Sequence, residues 1–552
     1  MADGARATEF DPYYSHWADL AARRVLAARP EVRPIVVAAG ITPSGVVHVG
    51  NFREVMTVDL VARALRDQGI DVRFVYSWDD FDVFRKVPAD MPEQELLEAH
   101  LRRSVVDVPD PFGETDSYAS HHVERFEASL APLGIEPEFI RQSQRYRTGR
   151  YAEGIRRALE KRDVIRGVLD QFRSTPLPED WLPLAGFCAA CRRDEVDFTW
   201  DGEWRVDLGC RACGEKTSVD LREGGDVKLP WRVDWPMRWA YERVCFEPGG
   251  KDHSSAGGSF DTAKQIVGPV YDWQAPEYVP YDFVRIKGAG GKISSSAGGA
   301  VTVAECLEIY EPEMLRWIFA SQRPNSEFQI SFDVDVIKLY EDYDRAVAIA
   351  HESDDGSKKD KKRQIVRRTL ELASVRPRRI EPGSAPERVP SFRPLSMILQ
   401  IYDGDPERTL AHYRATGEVE TGVEEDRLRA RAERVWAWIE RHAPEDFRYR
   451  IRQAPRPEPV AAGEGREALA RLVAILEAEP DIAEAELVPR LQALFEGLSI
   501  TPQDFYPDVY DLLIARPKGP KLTTLLGTMG SERALPLLRA GLGAGSGAGS
   551  GA

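Results

Sequence analysis

The sequence predicts an α/β fold built on a parallel sheet, followed by an all-helical C-terminal half. Three features predict it. Residues 35–76 run strand, turn-rich loop, helix and strand within about 40 residues, the pattern of a βαβ unit. Residues 184–222 hold two CxxC pairs among short strand-like stretches and read as an insertion. Beyond about residue 330 the apolar positions recur at helical spacing.

Each element has its own signal. Residues 13–30 form an amphipathic helix that stops at Pro30. Ile35 to Ala39 is a short apolar run, β-branched at first, and reads as a buried strand. GITPSGVV, residues 40–47, is turn-rich. From His48 to Leu65 the spacing is helical, with Val55, Val58, Ala62 and Leu65 on one face. Val72 to Tyr76 is the second strand. Ligands of such sheets sit at the carboxyl ends of the strands. Strand signals return over 264–271 and 281–286, ahead of a second glycine-rich loop. In the C-terminal half, Leu428, Ala432, Val435 and Ile439 share one helix face, and Leu469, Leu472, Val473 and Leu476 share another. Asp354 to Lys362 is a charged linker or loop, and the final GLGAGSGAGSGA is a flexible tail. No repeat of solenoid length is present.

The chain has 552 residues, 43% hydrophobic and 30% charged, enough for two or three domains with their own cores. No run of about 18 apolar residues occurs, so no membrane span is expected. The start, MADGARATEFDPYY, lacks the apolar core of a signal peptide, which predicts a cytoplasmic protein with reduced thiols. The net charge of −16 does not suggest a nucleic-acid binder, although binding depends on local patches rather than on the sum. Lys358 to Arg368, followed by Arg376, Arg378 and Arg379, concentrates positive charge that could hold phosphates or simply form a solvated face.

Three segments carry chemistry. GITPSGVVHVGN leads from a strand into a helix, where free N–H groups and the positive dipole end favour an anion. Gly45 and Gly50 allow close backbone approach, and His48 and Asn51 share the first helical turn, so the loop could cradle the phosphates of ATP. KGAGGKISSSAGG, residues 287–299, offers the charge of Lys292 and the hydroxyls of Ser294, Ser295 and Ser296, on a segment that glycine and serine alone would make a surface loop. Cys188-x2-Cys191 and Cys210-x2-Cys213, 18 residues apart, match the spacing of a closed four-thiolate zinc site with a structural role. Cys245 and Cys306 are expected to be packing residues.

His48-Val49-Gly50-Asn51 resembles the HIGH motif of class I aminoacyl-tRNA synthetases, and Lys292-Ile293-Ser294-Ser295-Ser296, about 240 residues later, resembles their KMSKS loop with its second lysine replaced by Ser295. The Walker A and GxGxxG patterns do not fit. GITPSGVVHVGNFREV, SWDDFDVFRKVP, PFGETDSYASHH, PWRVDWPMRW, FEPGGKDHSSAGGSFD and KISSS narrow the resemblance to the archaeal-type class I lysyl-tRNA synthetases, and KGPKLTTLLGTMG is similar to the end of their anticodon-binding part.

That resemblance implies a Rossmann-like catalytic domain over 1–300 with the zinc insertion at about 184–222, a helical connector over 301–355, an α-helical anticodon-binding domain over 356–540, and the tail over 541–552. It implies ATP, L-lysine and the tRNA for lysine as substrates, with Mg2+ beside ATP. His48, Asn51, Lys292, Ser294, Ser295 and Ser296 would then be catalytic. Pro43, Ser44, Gly45, His48, Gly50, Asn51, Lys292 and Ser295 would bind ATP. Gly40, Thr42, Asp79, Asp80, Trp231, Trp235, Asp252, His253 and Tyr281 would bind lysine. A lysine pocket needs an acceptor for the ammonium and apolar walls for the stem. Asp79, Asp80 and Asp82 follow the second strand, and the sequence does not choose between Asp79 and Asp80 as the ammonium partner. Trp231, Trp235 and Trp239 offer walls, although at least one must belong to the core. A glutamate enzyme of the same class would want basic residues where this chain has acids. A paralogue acting outside translation is the other alternative.

Overall fold

Ile35–Ile41 forms strand β1, whose first five residues are buried on both faces, as a strand covered by helices on either side requires. In a computed structural model that describes residues 16–255, 257–288, 300–456, 463–480 and 482–543, it lies at the centre of a five-stranded sheet. β2 is Val72–Trp78 and β3 is Glu138–Arg141. The insertion supplies β4 (Ala185–Gly186), β5 (Val196–Trp200), β6 (Arg205–Cys210), β7 (Lys216–Asp220) and β8 (Val227–Lys228). The main sheet resumes with β9 (Val244–Gly250) and β10 (Glu277–Tyr281), and β11 (Val284–Ile286) pairs with β12 (Phe328–Ile330) in a separate ribbon. The main sheet has the order β10-β9-β1-β2-β3 and every pairing in it is parallel.

The βαβ unit is present as expected: β1, helix Val49–Arg66 and β2, with Ile35 opposite Val72 and Ile41 opposite Trp78. Gly40 is needed at the end of β1, because a Cβ there would lie 2.7 Å from the Ser77 carbonyl oxygen. The helix Trp17–Ala28 covers part of the span expected at the N-terminus, and residues 13–15 lie outside the described residues. The reading of 264–271 as a strand is corrected. These residues belong to helix Ser259–Tyr271, which buries Thr262, Ala263, Ile266, Val267 and Val270 at helical spacing. An apolar run of that length is ambiguous between strand and helix, and here the partner surface decides.

The chain divides into two compact units, residues 1–331 with 345–384, and residues 332–344 with 385–552. In the second unit Leu428, Ala432, Val435 and Ile439 are buried on helix Gly422–Arg441, and Leu469, Leu472, Val473 and Leu476 on helix Gly463–Ala478. The basic stretch at 358–368 lies in the first unit, and helix Asp360–Ala373 begins inside the segment read as a linker. Its arginines are already engaged. Arg363 pairs with Glu352, Asp355 and Asp360, Arg367 with Asp354, and Arg368 with Asp19 and Asp67. These three arginines are framework, while Lys358, Lys359, Lys361 and Lys362 of the same stretch are exposed. Cys245 and Cys306 are wholly buried.

Helix Val49–Arg66 is buried along most of its length, so its charges need internal partners. Arg53 donates to the carbonyls of Arg323, Pro324 and Ser326. Asp59 accepts from Arg63 at 2.8 Å and from Arg316 at 2.6 Å. Arg316, with no exposed surface, also donates to the carbonyls of Leu133, Leu372 and Ala373. Removing one partner of such a buried pair leaves the other charge stranded. Arg316→Met should therefore lower the unfolding free energy by about 3–5 kcal/mol, read as a shifted midpoint in urea titration.

Candidate active site

The loop from β1 into helix Val49–Arg66 is fixed by the signature residues themselves. The His48 Nδ1 accepts from the Gly50 N–H at 3.1 Å, and the Asn51 Oδ1 accepts from the His48 N–H at 3.1 Å. Together they cap the helix start. A ring nitrogen that accepts from backbone places the proton of neutral imidazole on Nε2. The same turn is paired across the molecule. His48 bridges Thr302, and the Val49 N–H donates to the Val301 carbonyl at 2.8 Å. Val301 and Thr302 directly follow the second glycine-rich loop, so the two signatures are brought together at their bases. Lys292, Ser294, Ser295 and Ser296 themselves lie outside the described residues.

Of the other residues assigned to ATP, Pro43 and Gly45 are buried and Ser44 is exposed, with the Ser44 carbonyl accepting from the Tyr118 hydroxyl at 3.2 Å. The loop thus sits on the sheet's carboxyl edge with a helix N-terminus behind it, a geometry suited to an anion.

Beside it the acids after β2 are all engaged. Asp79 pairs with Arg238 at 2.6 Å. Asp80 accepts from the Ser143 N–H at 2.8 Å and from its hydroxyl at 2.6 Å. Asp82 pairs with Lys228 at 2.6 Å and accepts from the Thr42 hydroxyl at 2.9 Å. Two further carboxylates, absent from the sequence-based set, lie in the same region. Glu54 accepts from the Gly40 N–H at 3.2 Å and from the Tyr281 hydroxyl at 2.9 Å. Glu247 on β9 accepts from the Trp239 indole. Among the described residues neither has a cation at ion-pair distance. Burial, with the nearby charges of Glu247 and Asp79, pushes the Glu54 carboxyl up to about 8. Burial likewise pushes Glu247 up to about 7, and burial with Asp82 and Asp234 nearby raises Asp79 to about 6 against the pull of Arg238. The carboxylates of Glu54, Asp79, Asp82, Asp234 and Glu247 form a chain of neighbouring charges, and among the described residues the cations in ion pairs with them are Lys228 and Arg238. Among the described residues this group holds more carboxylates than cations.

An aromatic wall flanks these acids. Trp231 and Trp235 stack with centroids 5.0 Å apart, and Trp239 continues the series at 4.9 Å from Trp235. Trp239, with no exposed surface, and Trp235, 4% exposed, both belong to the core, and Trp231 packs against them partly buried. His253 lies 6.2 and 6.0 Å from the rings of Trp231 and Trp235. Asp252 and His253 are both exposed, on the turn after β9. Tyr281 ends β10, where its carbonyl accepts from the Lys251 N–H at 3.1 Å.

The cysteines converge as their spacing predicts. Their four sulfurs lie within 4.8 Å of one another, with Cys188–Cys213 and Cys191–Cys210 each at 3.6 Å, a group that could hold a metal ion. Burial works against ionisation of Cys210, but the N–H groups of Cys213 and Ala212 bring its thiol down to about 7. Arg192, at the turn after Cys191, and Arg147 each pair with both Asp107 and Asp226, an alternating ring that ties the insertion to the main body.

A parallel α/β sheet, a capped HVGN turn at its carboxyl edge and a second signature tethered to that turn define a class I aminoacyl-tRNA synthetase. Residues 15–376 match the family described as tRNA synthetases class I (K). The chain is 41% identical over 524 residues to the lysine–tRNA ligase of Borreliella burgdorferi, covering 94% of this chain and 98% of that protein. It is 38% identical over 534 residues to that of Thermococcus kodakarensis, covering 95% and 99%. With the lysine–tRNA ligase of Streptomyces coelicolor it shares 34% identity over 589 residues, covering 97% and 99%. The chain belongs to the class I lysine family of tRNA synthetases.

The raised acids make a prediction that needs no substrate. A carboxyl whose folded-state pKa lies above its unfolded value contributes stability that is complete below the unfolded value and is lost as pH rises through the folded one. For Glu54 and Glu247 that window runs from about pH 4.5 to 8. Urea midpoints should fall across it, and Glu54→Gln should flatten its upper part.

Proposed function

We propose that this lysine–tRNA ligase selects L-lysine through Glu54, with Tyr281 as the second donor or acceptor at the substrate ammonium, rather than through Asp79 or Asp80. The enzyme activates lysine with ATP to lysyl-adenylate and pyrophosphate, then transfers the lysyl group to the terminal ribose of its tRNA. The observation that carries the selectivity is the cation deficit around Glu54. An ammonium delivered there meets an acid without a counter-charge, whereas one delivered to Asp79, Asp80 or Asp82 would displace Arg238, Ser143 or Lys228. A glutamate side chain would add a sixth carboxylate to the cluster. Trp231 and Trp235 line the path of the lysine stem, Gly40 and Thr42 border it on the β1 side, and Asp252 and His253 stand at its mouth.

The lysine carboxylate is ionised in water, so its attack on the α-phosphate needs no general base. What the chain must supply is alignment and stabilisation of the charge that develops on the phosphates. The Nε2–H of His48, the amide of Asn51 and the backbone of Pro43 to Gly50 are placed to do so. Lys292 and the hydroxyls of Ser294 to Ser296 would add charge and donors to this set. Mg2+ beside the phosphates would neutralise part of the same charge. The C-terminal helices beyond residue 385 serve the anticodon end of the tRNA, and the enzyme works in the cytoplasm.

The cysteine group fits Zn2+. A tetrahedron with Zn–S arms of about 2.3 Å has edges near 3.8 Å, close to the 3.6 Å separations observed. Four thiolates close the coordination shell, so the role is structural.

Two measurements test these assignments. In lysine-dependent ATP–pyrophosphate exchange, Glu54→Gln should lower kcat/KM for lysine by roughly 10- to 100-fold, the scale of a lost charge-assisted bond, and should spare an uncharged analogue such as norleucine. Asp80→Asn should leave the preference for lysine intact. Equal activity of wild type and Glu54→Gln would put the ammonium elsewhere. Metal analysis should find about one zinc per chain, and a zinc-free chain that still activates lysine would end the structural assignment.

A further inference from the structure

We infer that Lys228, carried to the catalytic sheet by the cysteine insertion, is a positioning residue for lysine binding, holding the Asp82 carboxylate that fixes Thr42 in the loop after β1. The inference rests on the reading that Gly40 and Thr42 border the lysine pocket.

Lys228 is 146 residues from Asp82 and reaches it from another element altogether. β8 is only two residues long, yet its register is closely set. It pairs antiparallel with β4, Ala185 opposite Lys228 and Gly186 opposite Val227. The Phe187 N–H donates to the Asp226 carbonyl at 2.8 Å, immediately before Cys188. A Cβ on Gly186 would lie 2.3 Å from that same carbonyl oxygen, so the approach admits only glycine. Asp226 itself is anchored by Arg147 at 2.9 Å and Arg192 at 2.5 Å. The base of the insertion is thereby held on both sides of Lys228.

From this mount the ammonium, 7% exposed, donates to the Phe81 carbonyl at 3.1 Å and to Asp82 at 2.6 Å. The other oxygen of Asp82 accepts from the Thr42 hydroxyl at 2.9 Å. Thr42 is two residues beyond Gly40, whose N–H meets Glu54. A displacement of Thr42 therefore moves the backbone that helps orient the ammonium partner. Asp82 faces Lys228, Arg238 and Asp79, while Lys228 faces Asp82, Asp234 and Asp79. Arg238 is already shared between Asp79 and Asp234, so Lys228 is the cation on which the charge of Asp82 depends. Burial alone would push Asp82 up, and Lys228 with the Thr42 hydroxyl holds it below the usual carboxylate range. A protonated Asp82 loses the charge that strengthens its hold on Thr42.

The test is ATP–pyrophosphate exchange as a function of lysine concentration and pH, on the full chain, with Lys228→Met, Asp82→Asn, the double variant and Thr42→Val. Lys228→Met should raise the lysine KM about tenfold or more with kcat and the ATP KM little changed. It should also add an ionisation to the pH profile of kcat/KM, with activity recovering as pH rises and Asp82 regains its charge. Asp82→Asn should raise the lysine KM without that ionisation. The double variant should lack it too, and its KM change should fall short of the product of the single effects. Thr42→Val should raise the lysine KM in wild type and add little in Asp82→Asn. A folded Lys228→Met with wild-type KM and pH profile overturns the inference, as does an extra ionisation that survives in the double variant. If Lys228→Met does not fold, the charge-neutral double variant decides: a raised lysine KM with preserved kcat supports the inference, and a wild-type KM overturns it. Activity lost in Glu54→Gln beside a silent Lys228→Met would sink this inference alone. A silent Glu54→Gln would sink the pocket assignment on which it rests.

Discussion

The catalytic unit is organised around a deficit of positive charge at the carboxyl edge of its sheet. Glu54, Asp79, Asp82, Asp234 and Glu247 gather there, and among the described residues the cations paired with them are Lys228 and Arg238. Isolated charges in such a place would shift their pKa values and neutralise. The raised values of Glu54 and Glu247 are that response in the empty enzyme. The arrangement makes sense if the missing cation comes from outside. On the proposed reading, bound lysine would complete an internal charge balance that folding leaves open, and selectivity would share its origin with the raised acids.

The rest of the unit can be understood as what keeps this deficit confined. Elsewhere along helix Val49–Arg66 the buried charges have partners: Arg53 donates from one nitrogen to three carbonyls, and Asp59 pairs with Arg63 and Arg316. Arg316 reaches in turn to the carbonyls of Leu372 and Ala373, so residues of 345–384 pack as part of the catalytic unit rather than as a linker. The helix start is closed by the Nδ1 of His48 and the Oδ1 of Asn51.

The parts legible in the sequence were those with a local cause. The βαβ unit follows from two apolar runs and the helical period between them, and the cysteine pairs carry their geometry in their spacing. The misread segment, 264–271, is apolar and short, and only the surface it packs on makes it a helix. The arginines of 358–368 looked like a nucleic-acid patch because their partners, Asp19, Asp67 and Glu352, are remote in sequence or lie before the helix begins. The acids after β2 drew attention because they cluster, yet clustering said nothing of Arg238, Ser143 and Lys228, which arrive from other elements. Glu54 stayed hidden for the opposite reason. It is the one acid in FREVMTV, where a polar residue on an amphipathic helix reads as solvent-facing. The available signal was that its helix is apolar on nearly all sides, so an acid there must either be matched or serve a ligand.

That distinction separates the two kinds of carboxylate in the site. Asp80 and Asp82 have strong partners fixed by folding, and an incoming ammonium would have to break those bonds before making its own. Its net gain at either position would be small, because the desolvation of the ammonium would be offset only by an exchange of one partner for another. At Glu54 the partners are an amide N–H and a phenol, both neutral. Neither must leave for an ammonium to approach, and the phenol can rotate its proton to stay engaged. The cost of keeping Glu54 unmatched falls on the free enzyme, where burial holds the carboxyl near 8. The gain appears only with a cationic ligand. On the proposed reading a neutral side chain of the same length would fill the same channel and leave the acid as it found it, so discrimination would come from the charge rather than from the fit of the stem.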